Sequence, residues 1–332
     1  MAPVASCIDH SETGKVAQRM SLHGVLNVNK PDGWTSHDVV QRIRSGLGIQ
    51  KVGHAGTLDP HATGVLPVLV GKGTKIAQYL LGWEKEYAAV LQLGQRTDTQ
   101  DAWGTVLEES SVESLTEDRI RSVFATFQGS IQQVPPMYSA VKIEGQPLYK
   151  KARRGETVDR PAKTVVIHDL EIQRLDIPEV AFRVVCSKGT YVRTLCEDIG
   201  NLLQVGGHLK WLQRRRVGPI HVDQALEMES LLGGLEFSHL DGAFLGLDQA
   251  LEGFPAVVVD VDDARKVLHG NAISWDRVVN SGLESSVSPI GGNINIMVRV
   301  KQKDGQLLAL GRGPIFQTGK GGPVLAIETV FA

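Results

Sequence analysis

Cysteine is scarce in this chain, which holds only Cys7, Cys186 and Cys196 among its 332 residues. Their odd number and the absence of a C-x-x-C spacing argue against a disulfide or zinc framework and fit a reducing compartment. Long apolar runs are also missing, since residues 65–70 fall far short of the roughly 20 residues that cross a bilayer. The first 23 residues lack the apolar stretch of a secretory signal. We therefore predict a cytoplasmic protein with no membrane partner.

Length and composition predict a folded protein of two domains. At about 150 residues per domain, 332 residues are enough for two, and each is long enough to bury a core. Hydrophobic residues make up 42% and charged residues 22%, which are ordinary values for globular proteins. The 36 glycines and 14 prolines favour many turns and short strands over long helices, which excludes a coiled coil.

Charge is distributed unevenly, although the net charge is only −2. Seven basic and three acidic side chains lie between Lys142 and Lys163, and four basic side chains without an acid lie between His208 and His221. Residues 221–290 instead hold twelve acidic and three basic side chains. A basic track beside an acidic region suits a polyphosphate partner, because each neutralised phosphate releases counterions. A solvated charged surface explains the same pattern equally well.

The order of the elements predicts an α+β fold with a mixed, largely antiparallel sheet, because strands and helices alternate without a regular βαβ period. Residues 1–23 are predicted to be a flexible tail. Strands are predicted at 24–31, 65–70, 87–93, 164–175 and 180–187. A first helix is predicted to be capped by Thr35 or Ser36 and to end at Gly46 or Gly48, and further helices are predicted near 74–81, 115–128 and 190–203. Short strands at 256–261, 294–301 and 324–331, with a hairpin turn at Asp304 and Gly305, predict a small β domain over residues 254–332.

A glycine-rich loop, KVGHAGTLDPHATG at residues 51–64, follows the first predicted helix. The segment after it, residues 64–73, lacks the spacing and the hydroxyl of a phosphate-binding loop, which disfavours a nucleoside triphosphatase. His54, Asp59 and His61 offer metal-ligand atoms, but they lack helical i, i+4 spacing and a further ligand. We therefore predict no metal site.

Asp59 and a second polar segment, SKGTYVRT at residues 187–194, each have two interpretations. With Pro60 after it, Asp59 has little freedom and can face a pocket, or it caps a turn or a helix that begins at Pro60. Tyr191 and Arg193 lie where a strand ends and a helix begins, a place that projects polar side chains into a site. They can equally be a core ring and a surface ion-pair donor.

Five sequence blocks, in the same order, resemble the TruB family of tRNA pseudouridine synthases, of the bacterial stand-alone type. They are NKP at 29–31, GHAGTLDP at 53–60 with ATG at 62–64, LGQRTD at 93–98, PMYSA at 136–140 and SKGTYVR at 187–193. The resemblance covers residues 24 to about 220 closely. It implies a catalytic domain of pseudouridine synthase type at 24–253, with an RNA-clamping insertion near 130–163. The β domain at 254–332 is similar in placement to the PUA-like RNA-binding domain of such enzymes.

The resemblance implies an isomerase that converts the T-loop uridine of tRNA, position 55, to pseudouridine without a cofactor. It makes Asp59 the nucleophile, Arg193 the partner that orients its carboxylate, and Tyr87 the ring that stacks on the base and exchanges a proton. Four residues are implied to bind the substrate: Tyr191 in the pocket, His54 in the space that the extruded uridine leaves, Lys30 as support of the loop and Leu212 as an apolar wall. A core tyrosine and a satisfied loop histidine are the local alternatives for Tyr87 and His54.

The insertion is implied to hold RNA phosphates and to become ordered on binding. Its basic residues are Lys142, Lys150, Lys151, Arg153 and Arg154, with Tyr149 among them, and Arg214 extends the track. Recognition through phosphates predicts a steep loss of affinity with salt. We expect tRNA, bound through its T-arm, as the partner of a monomer that has no obligate protein partner.

Three alternative functions stay open. A guide-RNA-dependent relative shares the Asp59 loop and the Tyr191 and Arg193 motif but relies on partner proteins, and the 130–163 insertion favours the stand-alone enzyme over it. A catalytically silent tRNA-binding or tRNA-folding protein needs only the basic residues. A metal-dependent phosphohydrolase depends on His54, Asp59 and His61 alone. The route of the isomerisation, by attack of Asp59 on C1′ or C6 or through a glycal, does not follow from the sequence.

Overall fold

The structure is a computed structural model that describes residues 22–139, 141–143, 145–156, 158–228, 240, 242–280, 296–316 and 322–331. Most of the predicted tail, residues 1–21, lies outside the described residues. Leu22 packs against a hydrophobic core, and the backbone N–H of Lys72 donates a 3.3 Å hydrogen bond to Nδ1 of His23. No helix among the described residues is long and apolar enough to span a membrane.

Strands make up most of the regular structure. In chain order they are β1 (Gly24–Lys30), β2 (Val52–His54), β3 (Thr63–Val70), β4 (Lys85–Leu93), β5 (Gln95–Thr97), β6 (Val106–Glu109), β7 (Gly129–Gln133), β8 (Lys142–Ile143), β9 (Gln146–Pro147), β10 (Lys163–Asp176), β11 (Glu179–Cys186), β12 (Gly207–Val217), β13 (Ile220–His221), β14 (Leu226–Glu227), β15 (Phe244–Gly246), β16 (Ala256–Val259), β17 (Ile273–Ser274), β18 (Ile296–Gln302), β19 (Leu307–Ile315) and β20 (Val324–Val330).

The helices are short. In chain order they are α1 (Ser36–Leu47), α2 (Ala77–Leu81), α3 (Glu117–Ala125), α4 (Leu148–Ala152), α5 (Val192–Leu202), α6 (Leu247–Ala250), α7 (Val261–Leu268) and α8 (Trp275–Asn280), with 3-10 turns at Gly71–Ile76 and Val222–Gln224. Thr35 caps α1: its hydroxyl accepts from the backbone N–H of Asp38, whose carboxylate accepts from the N–H of Thr35. Gly48, at φ 66°, ends the helix.

One large sheet has the order β14–β1–β3–β12–β4–β11–β10–β7, with β2, β13 and β15 paired beside it. The pairings of β1 with β14 and of β12 with β3 are parallel, and the other pairings in this sheet are antiparallel. The predicted α+β fold with a mixed, largely antiparallel sheet is therefore confirmed.

A second sheet, with the order β16–β18–β19–β20–β17, forms the C-terminal part of the chain. Its first strand begins at Ala256, and the boundary at residue 253 stays a prediction. The two sheets share a hydrophobic core in which Met297, Leu310 and Phe331 pack with Val25 and Leu69. A lysine side chain adds to this contact, because Lys72 Nζ donates a 2.8 Å hydrogen bond to the carbonyl oxygen of Phe331.

Several elements differ from the sequence prediction, and the helix predicted near 74–81 is a 3-10 turn at Gly71–Ile76 followed by the short α2. The strand predicted at 256–261 ends at Val259, because Asp260 caps α7 by accepting a 2.8 Å hydrogen bond from the N–H of Asp263. The basic residues around Arg214, predicted to form a surface track, belong to β12 near the centre of the large sheet. The charged residues gave no sign of a strand in the sequence. In the structure the strand tolerates them because neighbouring groups neutralise their charge, as where Arg216 pairs with Glu84 and Glu86.

Candidate active site

The loop between β2 and β3, residues 55–62, carries Asp59 and is called here the Asp59 loop. Arg214 lies beneath it and is 2% exposed. Its guanidinium donates hydrogen bonds to the carbonyl oxygens of Val65 (2.7 Å), Gly56 (3.1 Å) and Thr57 (3.4 Å). One buried cation therefore binds three backbone acceptors around the loop. Binding of RNA by Arg214 stays a prediction, and its burial leaves little of its surface open to a phosphate.

Lys30 and Ser36 hold the other side of the Asp59 loop. Lys30 is fully buried, and its Nζ donates to the carbonyl oxygens of Pro31 (2.8 Å), Trp34 (2.6 Å) and Pro60 (2.7 Å). Burial lowers the pKa of Lys30 to about 8. The hydroxyl of Ser36 accepts from the N–H of Leu58 at 2.9 Å. The residues on both sides of Asp59 are thus fixed from outside the loop, and no helix begins at Pro60.

Two glycines allow the chain to follow this path. Gly56 and Gly64 have φ values of 106° and 100°, which L side chains rarely adopt. At Gly64 an added Cβ would lie 2.2 Å from the carbonyl oxygen of Arg214. The close approach of β3 to β12 therefore requires glycine at this position.

Asp59 and Arg193 form a two-point ion pair. Arg193 Nε lies 2.9 Å from Asp59 Oδ2, and Arg193 Nη2 donates to Oδ1 at 3.3 Å. The carboxylate side chain is 43% exposed, whereas the guanidinium side chain is only 6% exposed. Arg193 thus holds the carboxylate from the protein side and leaves it open to an incoming molecule.

Arg193 is itself held by groups from two other segments, residues 99–101 and Tyr138. Its Nη1 donates to the carbonyl oxygen of Thr99 at 3.1 Å, and its Nη2 donates to the carbonyl oxygen of Tyr138 at 2.8 Å. Asp101 Oδ2 lies 3.8 Å from Nη1. The start of α5 is held by Gln133, whose amide binds both the N–H and the carbonyl oxygen of Tyr191, at 3.0 and 3.3 Å. These contacts leave the guanidinium a single orientation.

A cavity of about 320 Å³ opens above this ion pair. This size lies in the range of small-molecule sites. The predicted residues Asp59, Tyr87, Tyr191, Arg193 and Leu212 all line it. Lys85, Ser139, Lys188 and Arg214 also line it, and the sequence prediction did not place them there.

Asp59 is the one carboxylate among the described residues that line the cavity, and the other ionisable side chains there are cations and phenols. Burial raises the pKa of Tyr87 and of Tyr191, so both phenols stay protonated at neutral pH. Lys85, which donates to the carbonyl oxygens of Leu81 (2.9 Å) and Trp83, has a pKa lowered to about 8 by burial. The cavity therefore offers one exposed carboxylate among groups that donate hydrogen bonds.

Two predicted substrate-binding residues, His54 and Lys30, do not line the cavity. His54 ends β2 opposite Val68, and among the described residues its Nδ1 is buried without a hydrogen-bond partner. Burial lowers its pKa, with Arg214 as a further cause, which favours the neutral ring. The role of His54 beside an extruded base stays a prediction.

The basic insertion forms the β8–β9 hairpin and α4. Lys150, Arg153 and Arg154 are exposed there, and Lys151 is buried. Arg153 lies over the ring of Tyr149 at 5.7 Å, and Arg154 pairs with Glu156 at 2.7 Å. Lys142 lies on β8, and its side chain lies outside the described part. Binding of RNA by these residues stays a prediction.

Sequence reasoning missed several residues that build the site. Asp101 lies three residues after the end of the block LGQRTD. This closeness to a block shared with the family was the only sequence feature that could have indicated Asp101 as a site residue. No local signal identifies Gln133, because its contact with Tyr191 spans 58 residues.

Two of the three residues considered as metal ligands, Asp59 and His61, have other contacts. Asp59 binds Arg193, and Nδ1 of His61 lies 3.1 Å from Oδ1 of Asp32. No group of three or more His, Cys, Asp or Glu side chains among the described residues has the arrangement of a metal site.

Two family models match the chain. The model described as "TruB family pseudouridylate synthase (N terminal domain)" matches residues 44–192, and "tRNA pseudouridylate synthase B C-terminal domain" matches residues 193–252. Together they span more than half of the sequence.

Curated proteins named "tRNA pseudouridine synthase B" are similar over most of their length. The one from Symbiobacterium thermophilum is 46% identical over 256 residues, which is 76% of this chain and 83% of that protein. The one from Ralstonia pickettii is 45% identical over 260 residues, 77% of this chain and 81% of that protein. The one from Burkholderia pseudomallei is 42% identical over 294 residues, 89% and 94% respectively.

Solved structures show the same fold. "Crystal Structure of a Cbf5-Nop10-Gar1 Complex" matches with a TM-score of 0.69 and 29% identity, covering 93% of this chain and 85% of that chain. "Structure of H/ACA RNP bound to a substrate RNA containing 2'-deoxyuridine" matches with a TM-score of 0.68 and 26% identity, covering 96% and 87%. The second match covers nearly the whole chain, including the C-terminal sheet.

Proposed function

We propose, since the chain belongs to the TruB family of pseudouridylate synthases, that Asp59 is the group that attacks the uridine in its isomerisation. The enzyme converts a uridine of tRNA to pseudouridine. We further propose that the target is the T-loop uridine at position 55 and that the tRNA binds through its T-arm. We also propose that the enzyme acts in the cytoplasm, as a monomer without an obligate protein partner.

The observation that carries this proposal is the ion pair of Asp59 and Arg193 at the floor of the cavity. In the reaction the bond between N1 and C1′ breaks, a bond between C5 and C1′ forms, the proton on C5 leaves and N1 takes up a proton. A carboxylate that is held at both oxygens and exposed to the cavity is a suitable nucleophile for the sugar or the base. Arg193 supplies the orientation, so that no reorganisation is needed when the substrate arrives.

The aromatic walls suit a uracil ring that has left its stack. Tyr87 and Tyr191 line the cavity as protonated phenols, and Leu212 adds an apolar wall. Aromatic side chains bind unstacked bases through their faces, and stacking offsets part of the few kcal/mol that extrusion costs. We assign Tyr87 to stacking and to proton exchange with the base, and His54 to the space that the base leaves.

The test uses an unmodified tRNA transcript labelled with tritium at C5 of uridine. The purified protein alone, in EDTA, is expected to release tritium from one uridine per tRNA, and a transcript with cytidine at position 55 is expected to release none. Asp59→Asn should abolish release and keep tRNA binding. Asp118→Asn, at an exposed position of α3, is the matched control and should behave like wild type.

Four results would contradict the proposal. Release that EDTA blocks would favour a metal-dependent reaction. Release that survives Asp59→Asn would remove the nucleophile, and binding without any release would favour a silent RNA-binding protein. Release that appears only with added protein or guide RNA would favour the guide-dependent relative.

A further inference from the structure

A second, smaller cavity of about 50 Å³ lies next to the main one. Asp59, Arg193 and Leu212 line both cavities, so they share a wall at the ion pair. The far side of the small cavity is aromatic, with Trp103, Trp211 and His61. None of these three residues has a role in the isomerisation proposed above.

The two tryptophan side chains are unusually open. Trp103 is 59% exposed and Trp211 is 42% exposed, although large aromatic rings are normally buried. Exposed apolar groups that border a cleft commonly mark a binding site. Here both indoles border the cavity that adjoins the reactive carboxylate.

Trp103 is held in place although it is exposed. Its ring centroid lies 4.1 Å from that of His61 in an edge arrangement, with 60° between the planes. His61 Nδ1 lies 3.1 Å from Oδ1 of Asp32. The backbone N–H of Trp103 donates a 3.1 Å hydrogen bond to Asp101, whose other oxygen lies 3.8 Å from Arg193. The indole and the guanidinium are thus positioned by the same aspartate.

We propose that Trp103 and Trp211 form a stacking platform for the nucleobase next to the target uridine in the RNA chain. The inference rests on the proposed function. Consecutive nucleotides of a single strand lie next to each other, and the two cavities share the wall at Asp59 and Leu212. A base beside the reacting one therefore lies within reach of the exposed indole faces that border the small cavity. Stacking on an aromatic face is sequence-tolerant, because every base has such a face. The platform therefore recognises an unstacked neighbour rather than its identity.

This platform gives the enzyme selectivity for an RNA in which two consecutive bases leave the stack. A target uridine whose neighbour stays stacked leaves the indoles uncovered and forgoes that binding energy. Loops offer such paired extrusion more readily than helical stems, because their bases are less firmly stacked.

The experiment measures label release from a T-arm stem-loop labelled at C5 of the target uridine. Three RNAs are compared: the intact loop, one abasic at the nucleotide before the target and one abasic at the nucleotide after it. The proteins are wild type, Trp103→Ala, Trp211→Ala, Trp103→Phe and the control Leu107→Ala, whose side chain is 60% exposed on β6 of the same hairpin. The dissociation constant is measured for each pair as well.

We expect Trp103→Ala and Trp211→Ala each to raise KM and the dissociation constant about tenfold, with kcat within about twofold of wild type. Trp103→Phe should restore most of the affinity, and Leu107→Ala should equal wild type. One of the two abasic RNAs should weaken binding to wild type about tenfold. The same RNA should carry no additional penalty with Trp103→Ala, because the variant has no indole on which the base could stack.

The platform is refuted if Trp103→Ala binds the intact loop like wild type, as it would if the indoles serve a protein partner. It is also refuted if the penalties of Trp103→Ala and of each abasic site multiply, or if Trp103→Phe is as weak as Trp103→Ala. Failure of the proposed function is seen separately, as no label release from the intact loop by wild type. The dissociation constants test the platform in that case too.

Discussion

Arg214 donates a 2.7 Å hydrogen bond from Nε to the backbone carbonyl oxygen of Val65. Through this hydrogen bond and two others the Asp59 loop rests on a buried guanidinium. We expect Arg214→Met to lower the free energy of unfolding by about 3 kcal/mol, because three carbonyl oxygens lose their donor. Urea denaturation measures this change. Arg215→Met, at the next and exposed position, is the control and should change stability by less than about 0.5 kcal/mol. Equal effects of both variants would contradict this role.

Gly64 is predicted to be sensitive to a single methyl group. We expect Gly64→Ala to destabilise the protein by at least about 3 kcal/mol, because the Cβ meets the Arg214 backbone and φ is positive. Gly33→Ala separates these causes, since Gly33 has φ 77° and nothing within 4 Å of the added Cβ. That variant should cost only about 1 kcal/mol. Thermal or urea unfolding measures the loss of unfolding free energy of each variant. Equal losses would show that the contact of the Cβ with the Arg214 backbone does not destabilise the protein.

Arg193→Lys is expected to impair catalysis far more than folding. A lysine cannot bind Asp59 at two points and also reach the carbonyl oxygens of Thr99 and Tyr138. We predict a fall in kcat of at least about 100-fold in the tritium-release assay, which is the effect of losing a positioned charge partner. Arg183→Lys is the control, because Arg183 pairs with Glu86 and Asp169 on the sheet and does not line the cavity. A loss of activity in the control of similar size would contradict the assignment.

Lys30 gives the stability a predicted pH dependence. Its folded pKa of about 8 lies below the ordinary value of 10.5, so between these values the unfolded chain binds more protons and stability rises with pH. Lys30→Met removes this linkage together with the three hydrogen bonds. We expect the difference in unfolding free energy between wild type and variant to widen above pH 8, by up to about 1 kcal/mol per pH unit until pH 10. Urea titrations from pH 7 to 10 measure it, and a constant difference would refute the lowered pKa.

The exposed bases of the insertion are predicted to set the salt dependence of tRNA binding. Replacing Lys150 and Arg153 by alanine should reduce the slope of log K against log [salt] by about 0.7 to 0.9 for each phosphate that the variant no longer neutralises. Arg154 should contribute less, because it pairs with Glu156. Arg119→Ala, an exposed arginine on α3, is the control. An unchanged slope of log K against log [salt] in the double variant would show that Lys150 and Arg153 do not contact the phosphates of the tRNA.

The elements with a strong periodic pattern were predictable from the sequence. The buried positions of α1 recur at helical spacing and its cap is Thr35, so its bounds follow closely from local chemistry. The alternation of residues 87–93 likewise indicates β4. The residues of the ion pair lie 134 positions apart, and only the resemblance to a family paired them before the structure brought Asp59 and Arg193 together.

The support of the Asp59 loop was not predictable in the same way. Three consecutive arginines at 214–216 indicate a charged surface, because a buried guanidinium is rare without partners. The partners of Arg214 are carbonyl oxygens about 150 residues away, and no side-chain pattern in the sequence marks them. Lys30 was linked to the loop only by resemblance, since its acceptors include a carbonyl thirty residues ahead.

The shared core of Met297, Leu310 and Phe331 with Val25 and Leu69 makes the two sheets depend on each other. A polypeptide cut after residue 253 would lack Met297, Leu310 and Phe331 and would lose part of the core around Val25 and Leu69, next to the strands that carry the Asp59 loop. Release of the C-terminal sheet would consequently loosen the reaction centre even if no residue of that sheet ever touched RNA.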